Sequence, residues 1–309
     1  MGIFTTTLSQ MAFLFSLILV GYLLAKYKIV PQNASVVLSK LENTLFIPCL
    51  VAGTFIQNFT VARISEAKEL MLVSIVLCVV AIPVGILLSK LFGKDKYTRN
   101  IYTYGLVFSN FGFMGNAVVS AVFPEIFFEY ILFTLPFWTA IYLWGVPVLL
   151  IADAGEKQTL LTRAKAFVNP MFIGMVIGMI LGLSGLHIPV WLNSLVTSLG
   201  NCMSPIAMLL TGITVSFISL KKTFTNGYIY LASLLRLVAL PLVFAVLMRF
   251  IPMTETARIC SLCFLSMPLG LNTIVVPGAY GRDTSVAAGM AIISHLLSCI
   301  TIPLMFLFL

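Results

Sequence analysis

The sequence predicts an all-α polytopic membrane protein, with ten transmembrane helices laid out as two inverted repeats of five. Three observations carry this. Of the 309 residues, 60% are hydrophobic and 9% charged, whereas a soluble domain holds roughly 25% charged residues; so little charge cannot clothe a water-facing surface. The apolar runs are about 17–25 residues long, which suits a helix across a bilayer and not a barrel strand. Finally, segments of the two halves match at nearly one offset.

Ten spans follow from the apolar runs: 10–27, 35–57, 69–92, 100–122, 126–151, 168–184, 190–218, 227–250, 257–279 and 284–308. The first ends at Lys26 and Lys28, and the stretch before it, MGIFTTTLSQ, has no basic residue and does not read as a signal peptide. The second carries Lys40, Glu42 and Asn43 near one end. Lys40 can snorkel to the interface, while Glu42 lies deeper and is a candidate proton or cation group. The fourth contains SNFGFMGNAV at 109–118, two amides and two glycines in a stretch otherwise fit only for lipid. The eighth holds Arg236 five residues before Pro241. The ninth reads SMPLGLNTIVVPGAYG over 266–281, and the tenth places His295 among IISHLLS. Mid-span prolines at 48, 83, 136, 147, 205, 241 and 303 predict kinks. The six cysteines all lie in apolar runs and read as small buried side chains.

The connection 152–167 divides the chain into residues 1–151 and 168–309. AIPVGILLSKLF at 81–92 aligns with ALPLVFAVLMRF at 239–250, an offset of 158. The same offset places Asn43 on Asn201 and Gly112 on Gly270, and an offset of 156 places Pro147 on Pro303. A repeat with an odd number of spans enters the membrane the opposite way the second time, the signature of many secondary transporters. Twelve of the 18 basic residues fall in odd-numbered loops and four in even-numbered ones. The net charge of +8 is thereby a topology signal and not a nucleic-acid surface. It places the odd loops, including 152–167, in the cytoplasm and both termini outside.

The fourth and ninth spans occupy matching places in the two halves, and both are interrupted. Gly112 and Gly115 loosen the one; Pro268, Gly270 and Pro277 break the other. Amides stand at the interruptions: Asn110 and Asn116 in the first, Asn272 in the second. Broken helices offer free N–H groups and positive dipole ends, and asparagines donate to a carboxylate without placing a charge at mid-depth. Asn110, Asn116, Asn272, Asn43, Asn201 and Arg236 therefore form the candidate substrate-binding set, with Glu42 and His295 as candidate coupling groups. An arginine at the depth of Arg236 costs roughly 2.5–3.5 kcal/mol unless paired or hydrated. Its partner is either an anionic substrate or a structural group, namely carbonyls at a neighbouring helix break or a distant carboxylate.

FSNFGFMGNAV (108–118), SMPLGLNTIVVPGAYGRD (266–283) and RLVALP (236–241) resemble segments of the auxin efflux carrier family, which includes the plant PIN-type carriers and bacterial malate permeases. The resemblance implies a fold similar to the bile acid–sodium symporters, with spans 4 and 9 crossing at their breaks. Spans 3–5 and 8–10 would form a moving transport domain, and spans 1, 2, 6 and 7 a scaffold through which a homodimer can form. The substrate carboxylate would bind at the crossover by Asn110 and Asn272. Asn116 stands where the family usually has proline, and the short 152–167 link favours a prokaryotic inner-membrane permease.

The function expected is secondary transport of a small organic anion, a malate-like dicarboxylate or another carboxylate, coupled to a proton or sodium. Neither cofactor, metal nor nucleic acid is expected; the partners are the substrate and the bilayer. An anion channel or facilitator with the same site is the alternative. An intramembrane enzyme is disfavoured because the chain has no GxSG, paired-aspartate or HExxH site, and an ATP-driven pump because it has no P-loop.

Overall fold

The computed structural model describes residues 3–31, 33–93, 95–151, 168–217, 226–270, 272–279 and 281–309, apart from the side chains at 3, 62, 65, 66, 275, 278 and 279. The 152–167 link lies outside the described residues. Helices account for the described elements: α1 Ile3–Lys26, α2 Ala34–Asn58, α3 Val61–Ser89, α4 Lys96–Val107, α5 Phe111–Val122, α6 Pro124–Leu150, α7 Pro170–Ser184, α8 Val190–Ser216 with a turn at Cys202, α9 Gly227–Leu247, α10 Glu255–Ser266, α11 Asn272–Ala279 and α12 Ser285–Phe308. Seven of these (α1, α2, α3, α6, α8, α9 and α12) are continuous, long and apolar enough to cross a membrane; α7 is shorter. Large apolar side chains such as Leu72, Val79, Ile180, Val243 and Ile300 project from their surfaces, as a lipid-facing helix requires.

Polar residues start the helices where the chain turns. Asp95 caps α4 by accepting from the Thr98 amide at 2.8 Å, Asn169 caps α7 at the Phe172 amide, and Thr254 caps α10 at the Ala257 amide. The Thr98 amide also holds the Asp95 carboxyl below the usual carboxylate range. Two helices begin earlier than the apolar runs suggest, α1 at Ile3 and α3 at Val61. In α3 the charged first turns are helical because their charges are used. Arg63 grips the Glu129 carboxylate of α6 with two nitrogens, at 2.9 and 3.0 Å, and also donates to the Asn58 side chain. Glu69 accepts from the Thr254 amide at 2.6 Å.

Prolines shape the interior of the spans through wide, π-type turns. Glu42–Phe46, Ile141–Leu150 and Leu235–Ala239 each begin six residues before a proline, at 48, 147 and 241. A proline ring displaces the carbonyl four residues back and supplies no N–H to it, so the preceding turn widens. A fourth wide turn, Phe111–Gly115, has no proline six residues after its start. The Tyr130 hydroxyl bonds the Phe111 carbonyl there.

α1 packs along α8, and α2 along α7. Gly174, Gly178 and Gly182 recur every fourth residue on α7. A Cβ on each would lie only 2.7–2.8 Å from the Pro48, Ala52 and Phe55 carbonyl oxygens of α2, so the two backbones touch along a stripe of small residues. α3 packs on α4 and α6, and α9 on α12. The expectation of buried cysteines holds for Cys78, Cys260 and Cys263; Cys202 is exposed, Cys49 and Cys299 are half-buried, and all six are free thiols.

Candidate functional site

The two interrupted helices meet at their breaks. α4 ends at Val107 and α5 begins at Phe111; α10 ends at Ser266 and α11 begins at Asn272. The intervening segments run antiparallel, with Ser109 opposite Leu269. The Asn110 amide donates to the Pro268 carbonyl at 2.7 Å, and the Leu269 amide to the Ser294 hydroxyl of α12 at 3.1 Å. A Cβ on Gly270 would stand 3.2 Å from the Ser109 carbonyl oxygen, and one on Gly115 would overlap the Tyr130 hydroxyl; only glycine permits both approaches without a shift. Gly112 faces Trp138 in the same way.

Each broken helix leaves carbonyls at its first half's C-terminal end, and Arg236 collects them. It is 2% exposed. Its guanidinium donates to the Leu106 carbonyl at the end of α4 (2.9 Å), to Phe264 at the end of α10 (3.1 Å) and to Met267 just beyond it (3.4 Å). It also lies 5.7 Å from the centre of the Phe264 ring. The wide turn at Leu235–Ala239 carries it. A positive charge set against two negative dipole ends is favourable, so of the partners weighed for Arg236 the structure supplies helix-break carbonyls.

The second halves, α5 and α11, turn their N-terminal ends towards the meeting point. Asn110, at the start of α5, is buried, and its amide nitrogen lies 3.1 Å from Nε2 of His295 on α12. Nδ1 of His295 lies 2.7 Å from the Ala291 carbonyl. Asn272 begins α11 and donates to the Tyr104 hydroxyl at 3.4 Å. Thr273 donates to the Gly270 carbonyl at 2.8 Å. Asn116 is buried on α5, and Pro277 is buried inside α11.

The remaining candidates lie apart. Asn43 is exposed and donates to Ser39 of its own helix at 2.7 Å. Asn201 lines a cavity of about 200 Å³ with Thr54, Gln57, Asn58, Glu125 and Thr197, between α2, α8 and the start of α6. Glu42 is wholly buried, and neither carboxyl oxygen has a hydrogen-bond partner among the described residues. Tyr104, Tyr130 and Ser294 were not foreseen as site residues. Each was indistinguishable in sequence from an ordinary aromatic or helix-packing hydroxyl.

A chain of apolar helices with two broken helices bonded at their interruptions defines a multi-pass membrane protein. Residues 6–306 match the family described as membrane transport protein. The chain belongs to that family, the auxin efflux carrier group that its motifs resemble. It is also 29% identical over 102 residues to an uncharacterised transporter of Schizosaccharomyces pombe, a match that spans 33% of this chain and 23% of that one.

Proposed function

We propose that the protein is a secondary active transporter that carries a small organic anion, a malate-like dicarboxylate or another carboxylate, by alternating access. The observation that carries this reading is the meeting of the two broken helices. Two N-terminal helix ends flank the interruptions and carry two amides, Asn110 and Asn272, while the opposite, carbonyl ends are already satisfied by Arg236. What is left to bind is a negative group. Counting each broken pair as one span makes ten spans. The register supports an inverted repeat, because Asn110 bonds Pro268 at the offset of 158 that also relates Gly112 to Gly270. In this reading α1, α2, α7 and α8 form the scaffold and the remaining helices the moving part. The termini face outward, the 152–167 link faces the cytoplasm, and the protein resides in a prokaryotic inner membrane, as a monomer or as a homodimer through the scaffold.

Uptake of labelled malate into proteoliposomes, with unlabelled malate inside, tests the proposal. Counterflow that saturates is the expected result and separates a carrier from a channel. Asn110→Ala and Asn272→Ala should each weaken uptake roughly ten- to a hundredfold, since a hydrogen bond to a charged ligand contributes about 1.5–3 kcal/mol. Wild-type uptake in both variants would overturn the site.

A further inference from the structure

We infer that His295 is the proton-coupling group of the crossover and acts by turning the side-chain amide of Asn110. The inference rests on the anion reading above and adds the coupling ion and its mechanism to it. Ala291 O can only accept, so Nδ1 of His295, 2.7 Å away, carries a proton and donates it. In the neutral ring Nε2 then holds a lone pair, and only a donor fits against it. The atom of Asn110 at 3.1 Å is therefore its Nδ2. The assignment follows from the bonding chain without any hydrogen being seen. The consequence is that Asn110 turns its oxygen, not its nitrogen, away from the ring. Among the described residues the Asn110 side chain has no other hydrogen bond. With a neutral histidine, the crossover presents a carbonyl oxygen to an arriving carboxylate, which is repulsive.

One proton reverses this. A proton from the aqueous phase that binds Nε2 makes both ring nitrogens donors. Nδ2 of Asn110 can no longer stay, and the amide makes a half-turn so that its oxygen accepts from Nε2–H. The two N–H groups of the amide then face the crossover, with an imidazolium behind them. Polarity and charge change together in favour of an anion.

The surroundings make the proton depend on that anion. α12 packs against α1, α4, α9, α10 and α11. The ionisable groups of α1 are Tyr22 and Lys26, in its last turns; α4 carries Lys96, Tyr97 and Arg99 in its first turn, then Tyr102 and Tyr104, both buried. α9 carries Tyr228, Tyr230 and Arg236; α10 carries Glu255, Arg258, Cys260 and Cys263; and α11 carries none. α12 itself adds Cys299. The one carboxylate in this set, Glu255, is exposed in the first turn of α10. A cationic His295 thus finds no buried counter-charge on these elements, and it shares them with a buried arginine. The bound carboxylate is the counter-ion, so proton and anion each favour the other's binding.

The chain has two histidines, which makes the test clean. His187 lies in the exposed turn between α7 and α8, and His187→Gln leaves one imidazole. Ring nitrogen-15 spectra of that protein, purified in detergent at pH 8, should show the Nδ1–H neutral tautomer, and adding malate should convert it to the imidazolium. Malate affinity, from calorimetry, should fall about tenfold for each pH unit above the pKa of the free protein. In His295→Gln, which keeps a side chain able to bond Asn110 but cannot take a proton, the affinity should not vary with pH. An Nε2–H tautomer at pH 8, a ring that stays neutral with malate bound, or an unchanged pH slope in His295→Gln would each overturn the coupling while leaving the anion site in place. Failure of malate to bind wild type at any pH would remove the anion reading, and the coupling with it.

Discussion

Replacing Arg236 by glutamine tests the most consequential contact in the molecule. The guanidinium is nearly inaccessible and joins three carbonyls from the ends of two helices that are far apart in sequence. Two of the bonds are short, at 2.9 and 3.1 Å, and hydrogen bonds from a charged donor contribute roughly 1.5–3 kcal/mol each. Their loss amounts to about 3–6 kcal/mol. Against it stands the desolvation cost of a buried charge, which the variant no longer bears and which returns a few kcal/mol. Glutamine can satisfy one carbonyl at most. The net expectation is a loss of about 1–3 kcal/mol, read as a drop in the thermal midpoint of the substrate-free protein in detergent. Arg236→Lys should fall between, because a single ammonium keeps the charge but not the fork. A substrate-free Arg236→Gln protein at least as stable as wild type would refute the clamp and return the arginine to the substrate.

Glu42 gives the opposite sign. Its buried carboxyl has no partner among the described residues, so Glu42→Leu should stabilise the protein by about 1–3 kcal/mol; destabilisation in a thermal melt would reveal a partner that matters. Gly178→Leu should part α2 from α7 and cost about 1–3 kcal/mol or more, seen as early loss of the monodisperse chromatographic peak on heating. Asp95 contributes through its cap in the ionised form, and its folded pKa lies below the ordinary one. That contribution is complete above the ordinary aspartate pKa and disappears as pH falls through the depressed folded value. Asp95→Ala should cost about 1 kcal/mol at pH 7, and melts should show the gap between variant and wild type closing as pH falls through that depressed value.

The spans were legible because apolar length is a strong signal, and the interruptions because asparagine, glycine and proline are out of place in lipid. The partners of Arg236 were not, since backbone carbonyls carry no mark in the sequence. Carbonyls at a neighbouring helix break are among the partners the sequence allows, but which ones required the fold: the structure supplies Leu106, Phe264 and Met267. His295 stood out as a lone ionisable group, yet its contact with Asn110, 185 residues away, required the fold. Asn43 matched Asn201 by offset, but an amide can be satisfied by the previous turn of its own helix, and Asn43 is. Arg63, one of the four basic residues of the even-numbered loops, is a bidentate partner of Glu129.

The wide turns before Pro48, Pro147 and Pro241 alter how these spans must be counted. Each of the two five-residue turns, Glu42–Phe46 and Leu235–Ala239, inserts one residue beyond what a regular helix would use. Everything downstream is therefore rotated by about 100° about the helix axis relative to an unbroken wheel. A helical wheel drawn through α9 from Gly227 to Leu247 blends two phases and assigns its later residues to the wrong neighbour. Paired spin labels or cysteines placed across 235–239 should be spaced with one residue added. Conversely, deleting one residue from this turn would swing the Arg236-bearing half against the half beyond Pro241 by a quarter-turn or slightly more, without touching a single side chain of the crossover.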